Sequence, residues 1–257
     1  MKKITLLIAL LLVVNSVHAQ DWAKAKLAKS PRHPEWAKVK HGSRTIDCFI
    51  VYPEVKEKAT AVLVVPEVFG MTDWVRSAAD EVAAAGYIAI VPDLWSGKQY
   101  EDVNGAIKAT YALPEKQVTA DLDAAAKYVL SLPSCNGQLV VAGFCWGGGQ
   151  SFKYATHNTK VKASFVFYGS PVDKKEMAKI QCPVYGFYGG NDNRITSTVS
   201  STTEQMKSLG KDYEPVTYEG AGHGFMRAGE APDANEANKK AHDEAWQRWK
   251  ELLKKYQ

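Results

Sequence analysis

The sequence predicts a single α/β domain on a mostly parallel, doubly wound sheet flanked by helices. Three observations carry that prediction. Short apolar runs at 59–66, 87–91, 138–142, 161–168 and 183–188 carry almost no charge, as strands covered on both faces do. Stretches of helical period lie between them, so strands and helices alternate. No repeat, low-complexity tract or long linker divides the chain.

Each element follows from local pattern. Residues 20–40 are polar, with Pro31 and Pro34, and read as a lead-in that Trp22 and Trp36 pin to the body. Residues 44–52 alternate as an edge strand, and 59–66 form a buried one. Residues 72–85 place apolar side chains at 75, 78, 79, 82 and 83, a helix capped by Thr72 or Asp73 and ended by Gly86. The next strand, 87–91, closes at Pro92-Asp93. Residues 94–113 are irregular and aromatic, and read either as part of a substrate-facing wall or as a surface loop with a short helix. A helix over 114–132 starts at proline. Strand 138–142 feeds a helix that runs to about residue 157. Strands 161–168 and 183–188, a helix over 195–209 and a short strand 215–218 follow. The closing helix, 234–256, has apolar residues at 237, 241, 245, 249, 252, 253 and 256, so Trp246 and Trp249 read as packing.

The N-terminus reads as a signal peptide over 1–19. Lys2 and Lys3 precede an apolar run over 4–14, too short for a comfortable span, and small residues stand three and one before a cut after Ala19. The domain is then 20–257, about 238 residues, enough for one sizeable core. The expected location is periplasmic or secreted, with no membrane anchor after cleavage. The lack of an Asn-x-Ser/Thr site leans towards a bacterial envelope protein. The 32 basic and 28 acidic residues include Lys2 and Lys3, so cleavage leaves a net charge of about +2. No basic stretch with interleaved aromatics appears, which excludes nucleic acid as the expected partner. The expected state is a monomer.

The most informative segment is G-F-C-W-G-G, residues 143–148, directly after an apolar strand. A nucleophile on a sharp strand-to-helix turn needs small residues two positions to either side, where side chains would strike the neighbouring strand and helix. Gly143 and Gly147 meet that need. This resembles the nucleophile elbow of α/β-hydrolases, with Cys145 in place of serine. A helix N-terminus at Cys145 is expected to lower its pKa. The other cysteines are Cys48, Cys135 and Cys182. Cys135 and Cys182 each precede a strand at the sheet end opposite the site, and the sequence leaves their pairing open.

A thiol nucleophile needs a base, and the base an orienting acid. Asp192, in Y-G-G-N-D, follows strand 183–188, and His223, in G-A-G-H-G-F, follows strand 215–218. Both therefore stand at C-terminal strand ends, where sites of such sheets are built, in the order nucleophile, acid, histidine. Glu67, in P-E-V-F-G, follows strand 59–66. A carboxylate against so apolar a strand end needs a partner, and near the thiol it would help control protonation.

Together P-E-V-F-G, G-F-C-W-G-G, G-N-D, G-A-G-H-G-F and the 72–94 segment resemble the dienelactone hydrolase family, across roughly 37–255. The resemblance implies a Cys145–His223–Asp192 triad, backbone N–H groups of Trp146 and Val68 as the oxyanion hole, and Glu67 paired with the resting thiol. It also implies that Arg227 binds a substrate carboxylate. Members acting on dienelactone use a second arginine, and none stands between Arg76 and Arg194; Lys108 and Tyr111 are the nearest substitutes. That departure, with the signal peptide, points away from dienelactone itself. The expected function is cleavage of a small ester or lactone through a thioester, with no cofactor and no metal. The rival readings are a non-hydrolytic thiol or redox-sensing protein and a binding module that keeps only the pocket.

Overall fold

The computed structural model describes residues 20–100 and 102–257. The proposed signal segment, 1–19, lies outside the described residues. In chain order the elements are α1 (Asp21–Ala28), β1 (Pro34–His41), β2 (Arg44–Val51), β3 (Ala59–Val65), α2 (Asp73–Ala84), β4 (Ile88–Pro92), α3 (Val103–Tyr111), α4 (Glu115–Ser131) and β5 (Cys135–Phe144). They continue with α5 (Trp146–His157), β6 (Val161–Phe167), α6 (Lys174–Met177), β7 (Val184–Gly189), α7 (Asn193–Thr196), α8 (Val199–Ser208), β8 (Tyr213–Tyr218), α9 (Phe225–Ala228) and α10 (Glu236–Leu253).

The sheet order is β1-β2-β4-β3-β5-β6-β7-β8. The pairs β1–β2 and β2–β4 are antiparallel and the rest are parallel. Every residue of β3 and β4 is buried, because helices cover both faces. Within β3, Ala61, Leu63 and Val65 join α4 and α5 in one core, through Leu122, Val129 and Phe152. Val62 and Val64 point the other way and join α2 and α10, through Trp74, Val82 and Trp249. The period of two thus splits one apolar run between two cores. Trp249 is fully buried, 4.9 Å from the ring of Phe167, so it packs as expected. Among the described residues no helix is long and apolar enough to cross a membrane.

The lead-in over 20–40 contains more structure than its polarity suggests. It holds α1, of which only Ala23 is buried, and β1, of which only Ala37 and Val39 are. Strand β2 is therefore not the edge: β1 covers it from Pro34↔Val51 to His41↔Arg44. A strand that buries two residues in eight gives a weak alternation signal. The helix expected over 195–209 is divided into α7 and α8, and Thr198 caps the second piece in helical conformation. Helix α2 matches its expected span, with the Thr72 hydroxyl accepting from the Val75 N–H.

The parallel strands bring their C-terminal ends to one edge, and β5 turns there into α5. Cys145 adopts φ 58°, ψ −120°, a costly conformation for a residue with a Cβ. A Cβ on Gly143 would overlap the Gly147 carbonyl, and one on Gly147 would overlap the Val65 and Pro66 carbonyls. The two glycines thus let β5, α5 and the end of β3 touch backbone to backbone. Replacing Gly143 by alanine is expected to cost about 3 kcal/mol or more. Thermal unfolding of the variant should show a drop of roughly 6 °C or more. An unchanged melting temperature would refute the close approach.

Candidate active site

Four strand ends supply the site. Cys145 follows β5, and its amide is anchored on the Phe167 carbonyl at 3.0 Å. Asp192 follows β7, with its side chain buried. His223 follows β8, and Glu67 follows β3 and is buried. Loop contacts fix the relative placement of acid and base. Asn191 N–H donates to the Ala221 carbonyl at 2.9 Å and its side-chain amide to Gly220 at 3.0 Å. Asn238 of α10 accepts the Gly222 N–H at 2.9 Å.

The structure brings Cys145, His223 and Asp192 into one row. Nε2 of His223 lies 3.1 Å from the Cys145 sulfur, and Nδ1 lies 2.5 Å from Asp192 Oδ2. A carboxylate can only accept from Nδ1–H, which assigns the tautomer and leaves the Nε2 lone pair facing the thiol. The backbone N–H groups of Trp146 and Val68 also face the sulfur. They converge from a helix start and a turn, so a negative oxygen formed beside the sulfur meets both.

Glu67 is arranged differently from the expectation. Its carboxylate does not hold the thiol: Oε2 accepts from Arg227 Nε at 2.9 Å, and Oε1 lies 3.4 Å from the Tyr168 hydroxyl. Arg227 is therefore engaged by the chain's own carboxylate. Glu67 raises the pKa of Arg227 and keeps it charged. The Arg227 guanidinium also lies over Phe69, 5.6 Å from its ring.

The thiol itself departs from the expected low pKa. Burial pushes Cys145 up to about 11, and the charge of Glu67 adds to the rise; the Trp146 and Val68 N–H groups and Arg194 pull it down without prevailing. The helix terminus is real, but desolvation and a nearby carboxylate outweigh it. Burial and the nearby carboxylate thus favour the protonated form of the sulfur, which lies within hydrogen-bond reach of His223 Nε2.

Two further residues join the site that the motifs did not single out. Tyr168 follows β6, is fully buried, and takes φ 41°, with its ring 5.1 Å from that of His223. The strand-end rule that selected Asp192 and His223 would have selected it too. Arg194, on α7, is exposed and close enough to lower the thiol pKa. Lys108 and Tyr111 are exposed on α3 and hydrogen-bond to no site residue. All four cysteines are free, so Cys135 and Cys182 form no disulfide. Among the described residues no cluster of metal-ligating side chains occurs. A cavity of about 190 Å³ lies away from the elbow, between α4, α5 and α6. Its charges are spent on one another, Lys153 with Glu115 and Lys179 with Glu176, both at 2.6 Å.

This sheet, with its elbow and its histidine and acid at successive strand ends, defines an α/β-hydrolase. The chain belongs to the dienelactone hydrolase family, whose model matches residues 46–257. It is a carboxylic ester or lactone hydrolase of that family, acting on small substrates. It is 33% identical over 215 residues to a protein of Escherichia coli (strain K12) named "Putative carboxymethylenebutenolidase", covering 76% of each chain. A Salmonella typhimurium protein of the same name is 34% identical, covering 76% of this chain and 77% of the relative. A crystal structure titled "Putative Dienelactone Hydrolase from Klebsiella pneumoniae" superposes with a TM-score of 0.77 at 26% identity, over 86% of this chain and 97% of that one.

Proposed function

We propose that the protein is an exported cysteine hydrolase that cleaves small, uncharged esters or lactones through a thioester on Cys145. The observation that carries the mechanism is the single imidazole shared between the Cys145 sulfur and Asp192. His223 takes the thiol proton as the sulfur attacks the carbonyl carbon. The carbonyl electron pair moves onto oxygen, facing the Trp146 and Val68 N–H groups. Collapse expels the alkoxide, which receives the proton from His223. Water, deprotonated by the same histidine, then releases the acid and restores the thiol. Asp192 holds the tautomer throughout.

An uncharged substrate is favoured because Arg227 already pairs with Glu67. A substrate carboxylate would have to displace Glu67, whose buried carboxylate already pairs with Arg227, and Lys108 and Tyr111 supply no second contact. A redox-sensing role is disfavoured because the Cys145 sulfur sits 3.1 Å from an imidazole oriented by Asp192, and because burial raises its pKa, whereas sensing cysteines are exposed and low in pKa. Export rests on the charge, apolar run and cut site of residues 1–19.

The test is a panel of small esters and lactones run on reduced protein, with peptide mass spectrometry. Rapid quenching should trap an acyl group on the Cys145 peptide, and uncharged substrates should turn over faster than their carboxylated analogues. Turnover with the acyl group on another residue would overturn the mechanism. Cleavage after Ala19 is checked by the N-terminal sequence of protein recovered from a bacterial envelope.

A further inference from the structure

Thr110 has no part in the chemistry above, yet its side chain is tied to the oxyanion loop. It is 1% exposed on α3, and its hydroxyl donates to the Val68 carbonyl at 3.2 Å. A helical threonine hydroxyl ordinarily bonds back to the carbonyl three or four residues earlier. Thr119 does so to Glu115 at 3.1 Å, and Thr203 to Val199 at 2.8 Å. Thr110 instead reaches 42 residues back along the chain, to a different element.

Its acceptor stands at a sensitive place. Glu67, Val68, Phe69 and Gly70 form a tight turn, closed by the Gly70 N–H on the Glu67 carbonyl at 3.0 Å, with Gly70 at φ 75°. No backbone N–H of the described residues donates to the Val68 carbonyl, and Val68 is buried. The peptide joining Glu67 to Val68 is planar, so its N–H points opposite to the Glu67 carbonyl. Gly70 holds that peptide, and Thr110 holds the next one. The direction of the Val68 N–H, which faces the Cys145 sulfur, is thereby fixed from both sides of one Cα.

We propose that Thr110 is a positioning residue for the hydrolytic reaction, aiming the Val68 N–H by holding the Val68 carbonyl; this rests on the cysteine mechanism above. Without the hydroxyl, a buried carbonyl loses its partner and the central peptide of the turn is free to rotate towards another. Rotation of that peptide alters the turn on which the Gly70–Glu67 bond depends, so the preceding peptide shifts and its Val68 N–H leaves the short range at which it stabilises an oxyanion. The loss falls on kcat rather than KM, because the donor is needed only once charge has developed on oxygen.

Thr110→Ala and Thr110→Ser both lack the γ-methyl and differ by one hydroxyl. The alanine variant is expected to lower kcat about tenfold, with KM within about twofold. The serine variant should keep kcat within about twofold of the parent. Thr110→Val, which keeps the shape without the hydroxyl, should follow alanine. Binding of a small trifluoromethyl ketone, which Cys145 would convert to a tetrahedral adduct, should weaken in parallel with kcat. Equal kcat in the alanine and serine variants, a change in KM alone, or unaltered ketone affinity in the alanine variant would overturn the proposal. A Cys145→Ala protein that stays active would remove the mechanism and this role together. An inactive Cys145→Ala protein with equal alanine and serine variants at 110 would remove the role of Thr110 alone.

Discussion

Cys145→Ala is expected to lower kcat/KM for a small activated ester, such as p-nitrophenyl acetate, by at least about a thousandfold. The expectation rests on how the row is wired. His223 has one lone pair directed at the site, and it faces the sulfur at 3.1 Å. With the sulfur gone, the imidazole has no nucleophile to deprotonate, and only the N–H groups of Trp146 and Val68 remain to assist water. Groups that act as a unit are not additive, so Cys145→Ala combined with His223→Ala should be no worse than the more damaging single change. Folding should be spared, because the substitution removes one sulfur from a half-buried position and leaves Gly143 and Gly147 in place. Steady-state rates, compared at matched thermal unfolding temperatures, read the outcome. Full activity in the alanine variant, or additive losses in the double variant, would sink the thioester mechanism.

The legible and illegible parts of this molecule differ for physical reasons. Buried parallel strands announce themselves because both faces select apolar side chains; β3 is buried at every position. The elbow announces itself because no residue other than glycine fits at 143 or 147. Strand β1 and helix α1 do not, since each buries so little that composition is free to be polar. The gap between α7 and α8 is equally silent, because an apolar period over 195–209 survives a break of two residues. The site divides along the same line. Positions at strand ends follow from chain order, so Cys145, Asp192 and His223 could be selected. Which partner a side chain prefers depends on distances that no spacing encodes. Glu67 therefore bonds Arg227 and Tyr168 rather than the thiol. The sign of the thiol shift was illegible for the same reason: the helix start is visible in the sequence, and the burial that outweighs it is not.

That burial gives the second large effect. Alkylation of Cys145 by iodoacetamide should be slow at pH 7 to 8 and climb about tenfold per pH unit towards about 11, where burial and then Glu67 have pushed the thiol. Glu67→Gln removes the negative charge and leaves Arg227 without its carboxylate, so both changes favour the thiolate. The midpoint should fall, and each unit of fall raises the thiolate fraction at neutral pH about tenfold. Peptide-level mass spectrometry isolates the Cys145 signal. Cys48 and Cys182, buried and pushed up to about 12, should stay unmodified while the protein is folded. The stability linkage has the same sign. Because the folded pKa lies above the ordinary 9.0, folding favours the protonated thiol. That contribution is fully present below pH 9 and is lost as pH rises through about 11, and Glu67→Gln narrows the window. Ester turnover in the parent protein should not follow the alkylation curve, since His223 removes the proton during attack rather than beforehand. A parent alkylation midpoint near 9 or lower, or an unmoved midpoint in Glu67→Gln, would show that burial and Glu67 do not hold the thiol neutral.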